Sequence, residues 1–526
     1  LTWLRGNLIP FACSVAGTDD RFGARLKKTL IGDVFIKGNG GEERMVNRAV
    51  RRLALVVAVA LMLIAPLGTA HANQGSYDVV RVELEDGTSV LYRVWLTWPQ
   101  LLLTTPDGGG WGVFAAQAGT IDSPYKLFTA RFDPVAAKWS GARAIPGGNL
   151  QFGADGDVDA NGVVHLVFTE RLDETDASFG RVMYTRTTPE GSWTTPVAIS
   201  EHADAGHQLA ASIEVDNSAI AHVVWQDQRS MTPEARAASP ANASIVSCEL
   251  TADGRCSADP IVVTTPTTET EIGNRPRLTS DGQRLIASWS VYASSNESDL
   301  NSASRIAWAA RPLGDPAAAW GPTNTLVERG EDAIGGRLFD IASDPTGGVV
   351  AVFGRASNWT SLYHTRLAAG TDAWSEPMLL VTGARGAFPS VTVGGDGTAY
   401  VSYNVGTGDV VTVAGMSIPA GATTPNREVE ITPAEFGSRG QAILSADSFG
   451  RVWAMYVFEP LYYGDLAAEQ VPNEVHVVRG VVFSSESAPE TQFVPPAVAS
   501  GTPEAAETPA ATDGTGQPEV IGTPAP

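Results

Sequence analysis

The sequence predicts an all-β fold, a seven-bladed β-propeller, on three observations. A strand–turn–strand unit ending on an aromatic residue recurs seven times. Five of the units also carry a hairpin pinned by a tryptophan or a cysteine. No long stretch with a 3.6-residue apolar period follows the first segment. A six-bladed ring with a loosely attached seventh unit is the alternative.

The units are "LLLTTPDGGGWGVF", "GDVDANGVVHLVF", "SIEVDNSAIAHVVW", "RLTSDGQRLIASW", "DIASDPTGGVVAVF", "SVTVGGDGTAYVSY" and "ILSADSFGRVWAMY". Each has alternating apolar residues, a turn rich in Asp, Asn or Gly, then a near-continuous apolar run. The closing aromatics are Phe114, Phe168, Trp225, Trp289, Phe353, Tyr403 and Tyr456, spaced by 54, 57, 64, 64, 50 and 53 residues. A period of that size is one four-stranded blade, whose two faces are buried only between neighbours. The segment "YDVVRVEL" (77–84) precedes the first unit and is expected to complete the seventh beside "NEVHVVRGVVF" (473–483), so that no edge stays open.

The second repeat is the hairpin typified by "YTRTTPEGSWTTPVAIS" (184–200). An arginine ends one strand and a tryptophan follows the turn in Arg131/Trp139, Arg186/Trp193, Arg311/Trp320 and Arg366/Trp374. In the third unit Cys248 and Cys256 keep the same separation, and they are expected to form a disulfide that replaces the clamp. The last two units have no clamp.

Ahead of the propeller, 1–44 reads as leader sequence. Residues 45–72 read as a secretory signal peptide: Arg48, Arg51 and Arg52, an apolar run from Leu53 to Leu67, then Ala70-His71-Ala72. The run is short for a membrane span, so export with cleavage is expected, with no membrane insertion afterwards. The propeller should occupy 77–485. Residues 486–526, rich in Pro, Thr, Ala and Glu, cannot bury enough surface to fold. With 1–72 removed, 26 basic residues stand against 53 acidic ones, a net charge of about −27. That surface repels phosphate backbones and anionic lipid, which argues against nucleic acid and for an extracellular glycan or protein partner.

The arginine, polar turn and Trp-x-x-Pro of "YTRTTPEGSWTTPVAI" resemble the bacterial neuraminidase repeats, or Asp-boxes, of the sialidase superfamily. That family's hairpin is Ser-x-Asp-x-Gly-x-x-Trp. Here its Asp position holds Thr188 before Trp193, Ala369 before Trp374 and Asp315 before Trp320. The resemblance implies a glycan-directed propeller and, in an active sialidase, three arginines gripping a carboxylate, a Tyr–Glu nucleophile pair and an Asp acid. The first of those arginines would sit in a Phe/Tyr-Arg-Ile-Pro motif, and at that point this chain has Thr97-Trp98-Pro99. The departure favours a non-catalytic binding module over a glycoside hydrolase with a diverged site.

Loops after second strands and loops between blades share one face of a propeller, and the long insertions 226–244, 290–304 and 459–473 belong to it. Candidate catalytic groups there are Glu459, Tyr462, Tyr463 and Asp227, and candidate ligand-binding groups are Arg171, Arg229 and Arg355. Ordinary ion pairs, Glu170 with Arg171 and Asp227 with Arg229, are the competing reading. "DVDANG" (157–162) opens like a calcium loop, but Phe168 stands where the bidentate Glu belongs. It reads as an inter-strand turn that needs no metal and no cofactor, with calcium at Asp157, Asp159 and Asn161 as the alternative. His165 and His222 read as core histidines.

Overall fold

The apolar runs that end on the closing aromatics become the second strands of seven sheets. The computed structural model describes residues 79–486 except 88–90, 93–99, 121–122, 148–149, 172–179, 200–207, 228–243, 265–271, 293–302, 316–317, 329–333, 356–360, 383–388, 408–409, 433–436, 440–441 and 461–472. Among the described residues every regular element is a strand. The expected signal peptide (45–72) and the tail beyond residue 486 lie outside them.

Each sheet is antiparallel, and in blades 1 to 6 its strands run in chain order from the inside out. The first strands are Gln100–Thr104, Leu150–Val158, Gln208–Val215, Ile272–Ser280, Ile334–Ser343, Ser390–Val393 and Ile443–Ala446, for blades 1 to 7. Each packs against the first strand of the next blade, and the seventh packs against the first. The ring therefore has seven members, and the six-bladed alternative falls. Blade 7 takes its outer strand from the other end of the chain. Val79–Val82 pairs antiparallel with Glu474–Val481, Arg81 opposite His476. The closing strand is where the sequence placed it.

At the turn between first and second strands, one carboxylate does the same work in five blades. Asp159, Asp216, Asp281, Asp344 and Asp447 accept the backbone N–H two residues on, from Asn161, Ser218, Gln283, Thr346 and Phe449, at 2.8–3.0 Å. These are Asx turns. The other carboxylate oxygen faces a basic side chain in four of them: His222 at 3.1 Å, Arg284 at 2.9 Å, Arg366 at 2.6 Å and Arg451 at 2.6 Å. In the fifth, His165 Nε2 stands farther off, 3.8 Å from Asp159 Oδ2, and its Nδ1 meets the Tyr184 hydroxyl at 2.8 Å. Both His165 and His222 are buried within blades.

The tryptophan hairpin joins each blade to the one before it. The Trp193 indole of blade 2 donates to Thr129 Oγ1 of blade 1 at 2.9 Å, and Trp320 of blade 4 donates to Ser247 Oγ of blade 3 at 2.7 Å. Trp374 of blade 5 meets Trp308 of blade 4 edge-on at 6.1 Å, and Trp139 of blade 1 meets Trp453 of blade 7 at 6.2 Å. In blade 3 the Cys248–Cys256 disulfide closes the hairpin. Its turn glycine, Gly254, lies flat on the Tyr184 ring of blade 2, where a Cβ would come within 2.5 Å of a ring carbon.

The register of that hairpin needs a correction of one residue. The residue after each clamp donates its N–H to one carbonyl: Thr194 to Arg186, Ser375 to Arg366, Ser257 to Glu249, Gly321 to Ala310. Cys256 thus holds the tryptophan's place. Glu249, not Cys248, holds the arginine's place, and in blade 4 Ala310 holds it rather than Arg311. Turn lengths differ between blades, so counting from the arginine slipped. Two residues before this position stand Thr129, Tyr184, Ser247, Trp308 and His364, the side that receives the next blade's clamp. In blade 6, Asn426 donates to Ser417, which puts Pro425 where the tryptophan stands elsewhere. Blade 7 is fastened to blade 6 by the chain after its third strand: Phe483 packs on Tyr400 at 4.9 Å, and the Glu486 carbonyl accepts from Arg427 N at 2.6 Å.

Candidate functional site

Asp227, Glu459, Arg171 and Arg355 all fall at the ends of second strands, on the loop-bearing face. They belong to four different blades. Asp227 ends Ala221–Asp227 of blade 3, is 2% exposed and accepts from the Trp225 indole at 3.2 Å. Glu459 lies in Val452–Pro460 of blade 7, half-buried, and burial raises its carboxyl above the usual range. Arg171 ends Val164–Arg171 of blade 2, its backbone opposite Gly180 and Leu150. Arg355 ends Gly348–Arg355 of blade 5, opposite Ser361 and Ile334. Tyr462, Tyr463 and Arg229 lie outside the described residues. Counted from the closing aromatic, Asp227 is two residues on and Glu459 three, so the two side chains leave opposite faces of their blades. Glu170 is buried and takes two bonds from Arg181, at 3.0 and 2.6 Å. Both bonds come from the cross-strand arginine.

A second group of charges meets on the axis, and sequence reading missed it. Asp155 of blade 2 accepts from Ser212 Oγ and, at 3.2 Å, from Ile213 N of blade 3. Asp157 accepts from Val215 N of blade 3 at 2.7 Å. Glu214 of blade 3 accepts at 3.3 Å from Ser343 Oγ of blade 5, which also bonds Thr279 Oγ1 of blade 4 at 2.7 Å. Asp340 of blade 5 accepts from Val391 N of blade 6 at 3.0 Å. The Arg277 charge of blade 4 acts on both Asp155 and Asp340, and those two repel each other. Groups from blades 2, 4 and 5 can interact in this way only around the axis. The signal lay in the alternate polar positions of the first strands, Asp155/Asp157, Ser212/Glu214 and Arg277/Thr279. Such alternation usually marks a solvent face. In a propeller it marks the channel wall.

Burial is the leading cause that lifts all four carboxyls. Asp155 and Asp340 rise against the pull of Arg277, Asp157 reaches about 6, and Glu214 rises well above its ordinary value under the added repulsion of Asp157. A carboxyl whose folded pKa exceeds its unfolded one stabilises the fold most below the unfolded value, near 3.8. That stabilisation is lost as pH rises through about 6. Asp157→Asn keeps an oxygen for Val215 N and removes the charge. Its thermal stability should be flatter across pH 4–7 than the wild type's, and at pH 7 it should exceed the wild type's by up to about 3 kcal/mol. Thermal unfolding of both proteins at several pH values checks this.

For the calcium alternative, Asp159 Oδ1 accepts from Asn161 N and Val163 N, both at 2.8 Å, and Gly162 takes φ +80°. Asp157 points to blade 3. Among the described residues no three His, Cys, Asp or Glu side chains gather as a metal site.

No protein-family model and no curated protein sequence matches the chain. Solved structures with a similar course include a Penicillium chrysogenum alpha-L-arabinanase with arabinobiose, at 15% identity and TM-score 0.40, over 62% of this chain and 92% of that one. The GH93 alpha-L-arabinofuranosidase of Fusarium graminearum shows 12% identity and TM-score 0.44, over 76% of this chain and 97% of that one. A polysaccharide lyase of family PL25, an ulvan lyase, shows 8% identity and TM-score 0.46, over 76% and 98%. At such identities the likeness is one of fold alone.

Proposed function

We propose that the protein is an exported β-propeller whose loop-bearing face holds an uncharged glycan without cleaving it. The observation that carries this reading is the charge at the axis. Among the described side chains, Asp155, Asp157, Glu214 and Asp340 stand there against the guanidinium of Arg277. An anionic sugar needs the reverse, a cluster of guanidinium forks. Each of these carboxylates is also engaged by a hydroxyl or N–H of another blade, which ties it into the wall. The net charge of about −27 after removal of 1–72 acts in the same direction at long range.

The test is a glycan array probed with the purified chain from residue 73 onward. Binding to neutral glycans and none to sialylated or uronate-bearing ones is the expected result. Retention of sialosides would overturn the charge argument, and retention of protein ligands alone would remove the glycan. One observation favours a second reading, a glycoside hydrolase with a diverged site. The half-buried Glu459 has the raised carboxyl that a general acid requires.

A further inference from the structure

The third strand of blade 5, Ser361–Ala368, turns Leu362, His364 and Arg366 toward blade 6. Leu362 shares a cluster with Val391, Val393 and Tyr403 of that blade. Arg366 donates to the carbonyls of Gly397 at 2.9 Å and Ile418 at 3.5 Å. His364 lies between them, 4% exposed, and its Nε2 has no hydrogen-bond partner. Its counterparts Thr129, Tyr184, Ser247 and Trp308 each receive the clamp of the next blade. At the tryptophan's register position blade 6 has Pro425, a residue with no N–H to give.

The geometry points to the seam between blades 5 and 6 as an acid-triggered joint. Protonating His364 sets a second cation beside Arg366 where Nε2 finds no acceptor, and blade 6 parts from blade 5 there first. The charged group acting on His364 is Arg366 of its own strand. Arg366 is itself paired with Asp344 at 2.6 Å. Blade 6 offers Arg366 the backbone oxygens just named.

Burial, and then Arg366, hold the imidazole down at about 4. A depressed pKa contributes stability above the unfolded value, near 6.5, and that contribution is lost as pH falls through about 4. The seam's opening constant should therefore rise on the order of 100-fold between pH 7 and pH 4. The axial carboxyls titrate in the opposite sense, so a global melting curve mixes the two and a local readout is required.

Hydrogen exchange, corrected for the intrinsic pH dependence of amide exchange, supplies it. Peptides covering 361–368 and 390–407 should lose protection at pH 4 on the order of 100-fold more than peptides covering 180–186 and 208–227 at the blade 2–3 seam. His364→Phe and His364→Gln should both erase the difference. Equal loss at the two seams of the wild type overturns the proposal, whether or not the variants fold. So does a pH response that persists in folded variants.

Discussion

Trp320→Ala should lower stability by about 3–5 kcal/mol, the usual cost of removing a large aromatic from a packed site. Trp320 is 9% exposed, packs among Val224, Trp289 and Ala309, and gives its indole N–H to Ser247 of the preceding blade. The alanine variant leaves a cavity in the seam and a buried hydroxyl without its donor. Trp374→Ala should cost less. That ring is only half-buried, and its indole nitrogen has no acceptor, because the receiving position on blade 4 is Trp308. Trp320→Phe should fall between, keeping most of the apolar volume and losing the bond. Urea midpoints of the three variants check the order. The comparison separates architecture from chemistry, because none of these rings stands on the loop-bearing face.

Removing residues 73–82 should prevent the ring from closing. The lost segment supplies the outer strand of blade 7, and Glu474–Val481 becomes a bare edge. Val82 and, just beyond it, Leu84 are buried in one cluster with Phe132, Trp453, Val475 and Val477. Losing Val82 costs about 1.5–3 kcal/mol, and Leu84 is left next to a chain end with no strand to hold it. The Arg81–Glu474 ion pair at 2.9 Å is lost, which leaves Glu474 with His476 at 2.8 Å. Against a domain stability of about 5–15 kcal/mol the sum is large. A chain starting at residue 83 should elute as aggregate or unfold well below a chain starting at residue 73. Gel filtration with thermal unfolding decides it.

What could be read from the sequence followed from how repeats bury themselves. The seven closing aromatics lie in continuous apolar runs because each second strand is covered on both faces, and such runs stand out. The closing strand was legible because blade 7 lacked a fourth strand and an unused strand stood at the other end. The disulfide was legible as the pair of cysteines close in sequence across one turn, the third cysteine being Cys13. The position of Cys248 was not, since turns of different length shift the count by one, and only the hydrogen bonds from Ser257 and Gly321 reveal it. Asp227 and Glu459 lie at the ends of second strands, where topology sends the loops that follow. The bond from Arg181 to Glu170 was not legible, because cross-strand register is invisible in one dimension. The axial carboxylates escaped notice because they come from three separate first strands, two from blade 2 and one each from blades 3 and 5.

The measurement that tests the functional reading most directly is turnover. The chain from residue 73 onward is incubated with fluorogenic sialosides, arabinosides and other glycosides, beside Glu459→Gln and Asp227→Asn, on the batch used for the glycan array. Neutral glycans bound with no fluorophore released by any of the three proteins is the predicted result. Release by the wild type that disappears in Glu459→Gln or Asp227→Asn would contradict it and make the loop-bearing face an active site.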